Sequence, residues 1–77
     1  MVKIKGGYIT LGQLLKKEGL ISLGGETRFF IENNLIKVNN QIETRRGKKL
    51  YAGDVIEVNS KKFVIEDEDW PIKFIEF

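Results

Sequence analysis

Residues 36–58 read IKVNNQIETRRGKKLYAGDVIEV, and this stretch decides the fold. Two short strand-like runs, 36–38 and 41–43, flank Asn39-Asn40, a pair that suits a two-residue hairpin turn with positive φ. A second turn at Gly53-Asp54 precedes an apolar run at Val55–Val58. The pattern therefore predicts a β-hairpin, an irregular connection and a further strand.

The connection contains a basic loop, which we define as residues 45–49, Arg45-Arg46-Gly47-Lys48-Lys49. From Lys37 to Lys49 the chain carries five basic side chains and one acid, Glu43. Four cations held between two strands repel one another, and a polyanion such as a phosphate backbone relieves that repulsion. The plainer interpretation is a solvated charged face. We favour contact with RNA phosphates.

Towards the N-terminus, residues 2–9 suggest a short strand or arm. Thr10 and Gln13 have the spacing of a capping box, which predicts a helix start. Gly19 stands where a left-handed residue commonly ends a helix, and Leu20 can fold back onto it. Three leucines then share one helical face: Leu11, Leu14 and Leu15. Together these signals predict a first helix over about 10–18.

A second helix is predicted from Gly24-Gly25 to about Asn33. Thr27, Phe30 and Ile31 share one face of it. Asn33-Asn34 suits a helix end, because asparagine tolerates the left-handed conformation. The glycines would present free N–H groups at the helix N-terminus, which favours an anion; a tight interhelical turn explains them equally simply.

The C-terminal part reads as a turn over 59–62, a strand over 63–66 and an aromatic tail over 70–77 that could add an edge strand or cover the core. The acidic run 66–69 has no regular ligand spacing, so we expect a solvated turn and no metal site. The whole chain, 1–77, is expected to be one domain with its core in 8–58 and a tail in 59–77.

Composition excludes several classes of function. The chain has 77 residues with no Cys and no His, which removes the usual zinc ligands and the commonest catalytic base. We expect no catalysis, no cofactor, no small-molecule substrate and no membrane span, and a cytoplasmic location. Residues 1–62 carry 12 Lys/Arg against 6 Asp/Glu, whereas residues 63–77 carry 1 against 5. A basic body therefore precedes an acidic tail.

The order of helix, Gly-Leu, helix, Val-Asn hairpin, basic loop and Gly-Asp strand resembles the RNA-binding domain named after ribosomal small-subunit protein four, the S-four domain. The likeness covers roughly Tyr8 to Val58. Within that family the chain is most similar to the small, single-domain bacterial YaaA-type proteins, through Gly24-Gly25-Glu26 and the run 43–50. The residues that carry the resemblance are Leu11, Leu14, Leu15, Gly19, Leu20, Glu26, Arg28, Ile31, Lys37, Val38, Asn39, Leu50, Gly53, Asp54 and Ile56.

The resemblance implies an α+β fold in which two short helices pack on a small twisted antiparallel sheet, the arrangement called the αL motif. It also implies binding of structured RNA, ribosomal or tRNA-like, in ribosome assembly or translation, with ribosomal proteins as further partners. Thr10 and Gly24 stand where the family usually has arginine. We therefore expect the basic loop and the Gly24-Gly25 helix start to take over phosphate binding.

The candidate RNA-binding residues fall in the basic loop and in the elements expected beside it. Three of them have ordinary alternatives: Arg28 could pair with Glu32 one turn away, and Lys16 and Lys17, near a helix C-terminus, could be simply solvated. Phe29 could stack on a base or lie under the tail. The full set is Arg45, Arg46, Lys48, Lys49, Lys37, Arg28, Gly24, Gly25, Lys16 and Lys17.

Two other functions remain open at this point. The aromatic tail could be the partner surface of a protein–protein adaptor, with the basic loop serving only solubility. DNA binding in replication or repair is the other alternative, although the second helix is short and carries one arginine, which is a poor reader of the major groove.

Overall fold

Seven short β-strands, two α-helices and one 3-10 turn form residues 2–67, the part of the chain that this computed structural model describes. The strands are β1 (Val2–Ile4), β2 (Tyr8–Thr10), β3 (Ile36–Val38), β4 (Gln41–Ile42), β5 (Lys49–Tyr51), β6 (Val55–Val58) and β7 (Lys61–Asp67). The helices are α1 (Leu11–Lys17) and α2 (Thr27–Asn33), and the 3-10 turn is Gly24–Glu26. The predicted edge strand and hydrophobic cover at 70–77 lie outside the described residues.

The strands form a five-stranded sheet in the order β1-β7-β6-β3-β4 and a separate two-stranded ribbon of β2 and β5. The predicted α+β class with two helices on a small sheet is confirmed. The expectation of a wholly antiparallel sheet is wrong, because β1 pairs in parallel with β7, with Val2 opposite Ile65. The N-terminal arm is also two strands rather than one, since Gly6 and Gly7 turn the chain with φ of 85° and 95°.

Helix α1 begins and ends as its sequence predicts. The Thr10 side chain accepts from the Gln13 backbone N–H at 3.3 Å, and the Gln13 side chain accepts from the Thr10 N–H at 3.0 Å. At the other end Gly19 has φ of 76°. The Gly19 N–H donates to the Lys16 carbonyl at 3.1 Å and the Leu20 N–H to the Leu15 carbonyl at 2.9 Å, which is the Schellman arrangement.

The second helix differs from its prediction at both ends. Gly24 and Gly25 lie in the 3-10 turn, and the α-helical part begins only at Thr27. Asn34 is extended (φ −135°, ψ 150°) rather than left-handed. Helix α2 ends without a left-handed residue because the Asn33 and Asn34 amides themselves donate to the carbonyls of Phe29 and Phe30, at 2.8 and 2.9 Å.

The hairpin turn at the centre of the sequence argument is confirmed. Asn39 and Asn40 have φ of 52° and 70°, the conformation of a two-residue type I′ turn between β3 and β4. The turn predicted over 59–62 is shorter than expected. Asn59, with φ of 56°, and Ser60 make it alone, so Lys61 and Lys62 already belong to β7.

The core lies between the two helices and the inner faces of the strands. Its buried members include Leu11, Leu14, Leu15, Ile31, Ile36, Leu50 and Ile56. Val2, Ile4 and Ile65 are buried in the same cluster, so the core extends beyond the predicted 8–58 at both ends. The reason is the β1–β7 pairing, which brings the two ends of the described chain together. No helix within residues 2–67 is long and apolar enough to cross a membrane.

Candidate RNA-binding surface

The basic loop is fixed to the first turn of α1 by two backbone hydrogen bonds. The Leu11 N–H donates to the Lys48 carbonyl and the Gly12 N–H to the Arg46 carbonyl, both at 2.9 Å. The first N–H groups of a helix have no partner within the helix, so the loop carbonyls satisfy donors that would otherwise need water. The loop backbone is consequently held against α1 rather than free in solvent.

Gly12 permits this close approach. A Cβ atom built at Gly12 would lie 3.3 Å from the Thr27 Cγ2 atom and 3.4 Å from the Arg46 carbonyl oxygen. The first distance is tighter than an ordinary van der Waals contact, and the second is at the short end of that range. The glycine therefore lets α1, α2 and the basic loop meet at one point.

Arg46 lies where two concavities meet. The first, of about 560 Å³, is lined by Arg28 and Glu32 of α2 together with Arg46. The second, of about 330 Å³, is lined by Gln13 and Lys16 of α1 together with Arg46. We call Arg46, Arg28 and Lys16 the cationic triad. Arg46 of the loop lines both concavities, Arg28 of α2 lines the first, and Lys16 of α1 lines the second.

Arg45 behaves differently from its neighbour. Its guanidinium is paired with the Glu43 carboxylate, with Nε to Oε2 at 3.1 Å and Nη2 to Oε1 at 3.4 Å. The Arg45 backbone N–H donates to the same carboxylate at 3.0 Å. These contacts lower the pKa of Glu43 from its ordinary 4.5 and raise the pKa of Arg45. Within residues 2–67, Glu43 thus neutralises one of the four cations of the loop.

Arg28 forms the ion pair that the sequence offered as its alternative role. Its Nε atom lies 3.1 Å from the Glu32 Oε1 atom, and both side chains are largely exposed. Exposed pairs of this kind contribute only about 0.2–1 kcal/mol. The pair therefore leaves Arg28 able to turn towards a phosphate.

The remaining candidate residues are spread more widely. Lys37 is half-buried on β3, and the residue opposite it on β6 is the acidic Glu57. Lys48 and Lys49 line a third concavity on the other side of the loop, and Lys17 lies in a separate depression beside Tyr8.

The Gly24-Gly25 pair lies in the 3-10 turn, so the anion site expected there stays a prediction without the α-helix start on which it was argued. Helix α2 begins beyond it, and the residue that flanks the helix start is Glu26, whose carboxylate disfavours a phosphate there.

Sequence reasoning did not single out two exposed tyrosines. Tyr8 and Tyr51 are opposite each other on the β2–β5 ribbon, with ring centroids 6.1 Å apart and a tilt of 51°. The Lys49 Nζ atom lies 5.0 Å from the centroid of the Tyr8 ring. The available signal was the alternation in residues 8–10 and 49–51, which places Ile9 and Leu50 inward and the tyrosines outward. Phe29 is 70% exposed within the described part of the chain.

Comparison with known proteins agrees with this geometry. The sequence profile of the S4 domain, the S-four domain named above, matches residues 2–66. The chain therefore belongs to the S4-domain family of small RNA-binding modules. The curated relatives include the "Probable ribosome maturation protein RlbA" of Bacillus subtilis (strain 168). That protein is 42% identical over 57 residues, which cover 74% of this chain and 80% of the relative.

Proposed function

We propose that this protein binds a structured region of ribosomal RNA and acts in ribosome maturation in the bacterial cytoplasm. The observation that carries the proposal is the convergence of the cationic triad on one surface, with the Arg46 backbone fixed to α1. The name of the Bacillus subtilis relative supports the ribosomal context. The role requires no catalytic group, cofactor or small-molecule substrate.

The recognition mechanism follows from the form of the triad. A-form RNA hides the base edges of its deep major groove, so a duplex is recognised mainly through phosphates, 2′-hydroxyls and shape. Arg46 presents a planar guanidinium that can bind a phosphate with two hydrogen bonds. Arg28 and Lys16, one in each concavity, then reach phosphates on either side. This arrangement favours a stem or a stem–loop junction with little sequence readout.

Rigidity strengthens such binding. A loop that is ordered before binding loses less conformational entropy when the RNA docks. The two hydrogen bonds from α1 hold the Arg46 backbone, while the side chain forms no ion pair within residues 2–67. Arg46 therefore combines a fixed backbone with an available charge, and we expect it to contribute most to affinity.

The test is a filter-binding titration of the full chain with a ribosomal RNA stem–loop and a DNA duplex of matched length. We expect the RNA to bind more tightly, and Arg46→Ala to weaken RNA binding about tenfold or more with little change in melting temperature. Lys62→Ala is the matched control, because Lys62 is an exposed cation on β7 that lines none of the three concavities around the loop.

Three results would refute the proposal. Equal binding of RNA and DNA would favour the alternative role in replication or repair. Absence of nucleic-acid binding, together with salt-independent association with a protein, would favour an adaptor. Equal effects of Arg46→Ala and Lys62→Ala would show that total charge matters and the triad does not.

A further inference from the structure

The third concavity differs in chemistry from the two that flank Arg46. It has a volume of about 220 Å³ and lies between β4 and β5, on the side of the basic loop where Lys48 and Lys49 are found. We propose that it binds one unpaired nucleobase next to the RNA stem held by the cationic triad. This inference rests on the proposed function and names the part of the RNA that this second site would take.

Two exposed apolar side chains face this concavity. Ile42 of β4 is 68% exposed and Tyr51 of β5 is 49% exposed, and both line it. A planar base can stack on the tyrosine ring, and the isoleucine offers an apolar contact for the base. Base–aromatic stacking is a recurrent source of affinity for unpaired nucleotides, and it tolerates any base. The pair therefore offers a nucleobase an apolar contact within a largely polar concavity.

Tyr51 is held in place before any ligand arrives. Its backbone N–H donates to the Asp54 Oδ2 atom at 2.8 Å, and its strand pairs with β2, where Tyr8 stands directly opposite. The ring centroids are 6.1 Å apart and the rings are tilted by 51°. A base stacked between two parallel rings needs a gap of roughly twice the ~3.4 Å spacing of stacked bases, so this gap is too narrow. The base must consequently stack from the side of the concavity, with Tyr8 supporting the ring.

The charged groups around the concavity are of both signs: three cations, Arg45, Lys48 and Lys49, and two carboxylates. The carboxylates are those of Glu43 and Asp54. Both already accept hydrogen bonds, from Arg45 and from Asn39 and Tyr51 respectively, yet each still repels an anion. Lys48 and Lys49 lie on the same concavity and can hold the phosphates that flank the base. The concavity thus offers Tyr51 and Ile42 to the base, and Lys48 and Lys49 to the phosphates that flank it.

Size and position agree with a single nucleotide. The volume equals that of roughly seven water molecules, which suits a single base. Lys48 and Arg46 are two residues apart in the same fixed loop, so a strand leaving a stem on the triad reaches Tyr51 within a few nucleotides. The RNA that this geometry fits has a stem with an adjoining single strand.

The experiment compares three RNAs that share one stem–loop: blunt, extended by three ordinary nucleotides, and extended by three abasic nucleotides. The abasic extension keeps the phosphates and removes the bases. We expect the ordinary extension to tighten binding about tenfold and the abasic one to add little. Tyr51→Leu should remove the gain, whereas Tyr51→Phe, which keeps the ring, should retain it.

Controls separate this inference from the proposed function. Phe29→Leu removes an exposed aromatic on α2 and should leave the gain unchanged; loss of the gain in that variant would overturn the Tyr51 site. An equal gain from the abasic extension, or a gain that survives Tyr51→Leu, would also overturn it, while blunt stem binding would still support the proposed function. Failure of the blunt stem to bind would refute the proposed function. In that case a Tyr51-dependent interaction with the isolated single strand would still support the base site. Absence of that interaction would refute the base site as well.

Discussion

The Asn39 side-chain amide donates to the Asp54 Oδ1 atom at 3.1 Å across a separation of 15 residues. The Asn39 Oδ1 atom in turn accepts from the Val55 N–H at 3.0 Å, and the Asp54 Oδ2 atom accepts from the Tyr51 N–H at 2.8 Å. These contacts tie the β3–β4 turn to the β5–β6 turn. Asn39 and Asp54 therefore join the two ends of the segment that contains the basic loop. We call these side-chain hydrogen bonds the clasp.

Replacing Asn39 tests this clasp. Asn39→Gly keeps the left-handed conformation and loses the side-chain hydrogen bonds, so we expect a loss of about 1–2 kcal/mol in the free energy of unfolding. Asn39→Ala loses the same bonds and keeps a Cβ atom at a φ of 52° without the polar side chain that favours this conformation in asparagine, so it should be roughly 1–2 kcal/mol less stable than Asn39→Gly. Urea denaturation measures both. Equal stability of the two variants would contradict the backbone contribution, and stability equal to that of the unmodified chain would contradict the clasp.

The Glu43–Arg45 pair predicts a dependence of stability on pH. The pKa of Glu43 is lower in the folded chain than its ordinary 4.5, chiefly because of its hydrogen bond to Arg45. A carboxyl with a lowered folded pKa stabilises the native state above the unfolded value, and that contribution is lost as the pH falls through the folded pKa. We expect the free energy of unfolding to fall below pH 4.5, and Glu43→Gln to flatten this part of the profile.

Chemical denaturation between pH 3 and 7 measures this effect. Glu32→Gln is the matched control, because Glu32 also pairs with an arginine, Arg28, but on the exposed surface of a helix rather than in a loop. A profile for Glu43→Gln that is as steep as that of the unmodified chain would contradict the prediction.

Local signals in the sequence predict the elements that local contacts build. Thr10 and Gln13 predict the start of α1 because capping involves residues three apart, and Asn39-Asn40 predicts a turn because positive φ is a property of those two residues. Local sequence does not distinguish Asn59, which is left-handed in the β6–β7 turn, from Asn33-Asn34, for which the same conformation is predicted. Asn59 has a φ of 56°, and its side chain accepts from the Leu35 N–H at 3.2 Å, a contact set by the tertiary fold.

The sequence predicts the candidate site less completely than the fold. Charge density identifies the basic loop, but the pairing of Arg45 with Glu43 depends on an irregular backbone that has no sequence periodicity. The parallel β1–β7 pairing joins residues more than 60 positions apart, as Val2 and Ile65 are, and no local pattern specifies it. The division of the cations between the triad and the Tyr51 concavity likewise exists only after α1 meets the loop.

Salt dependence provides a further prediction about the triad. Each phosphate neutralised contributes about −0.9 to the slope of log affinity against log salt, or about −0.7 for a single strand. Contacts from the three cations of the triad predict a slope of about −2 to −2.7 for the stem–loop. Arg46→Ala should make the slope less negative by about one, and Lys62→Ala should not change it. A slope near zero would contradict electrostatic binding.

Gly12→Ala tests whether contact between α1 and the loop sets the position of Arg46. Alanine is favoured over glycine inside a helix by about 1 kcal/mol, but the new methyl group would press on the Arg46 carbonyl and on Thr27. We expect these effects on stability to offset each other to within about 1 kcal/mol, while the displaced loop binds the stem–loop several-fold more weakly. The control is Gly47→Ala, because nothing lies within 4 Å of a Cβ atom built there. Denaturation and binding curves measured for both variants should therefore show reduced affinity for Gly12→Ala alone. A similar loss of affinity for Gly47→Ala would mean that the flexibility of the loop, rather than the contact between the loop and α1, governs RNA binding.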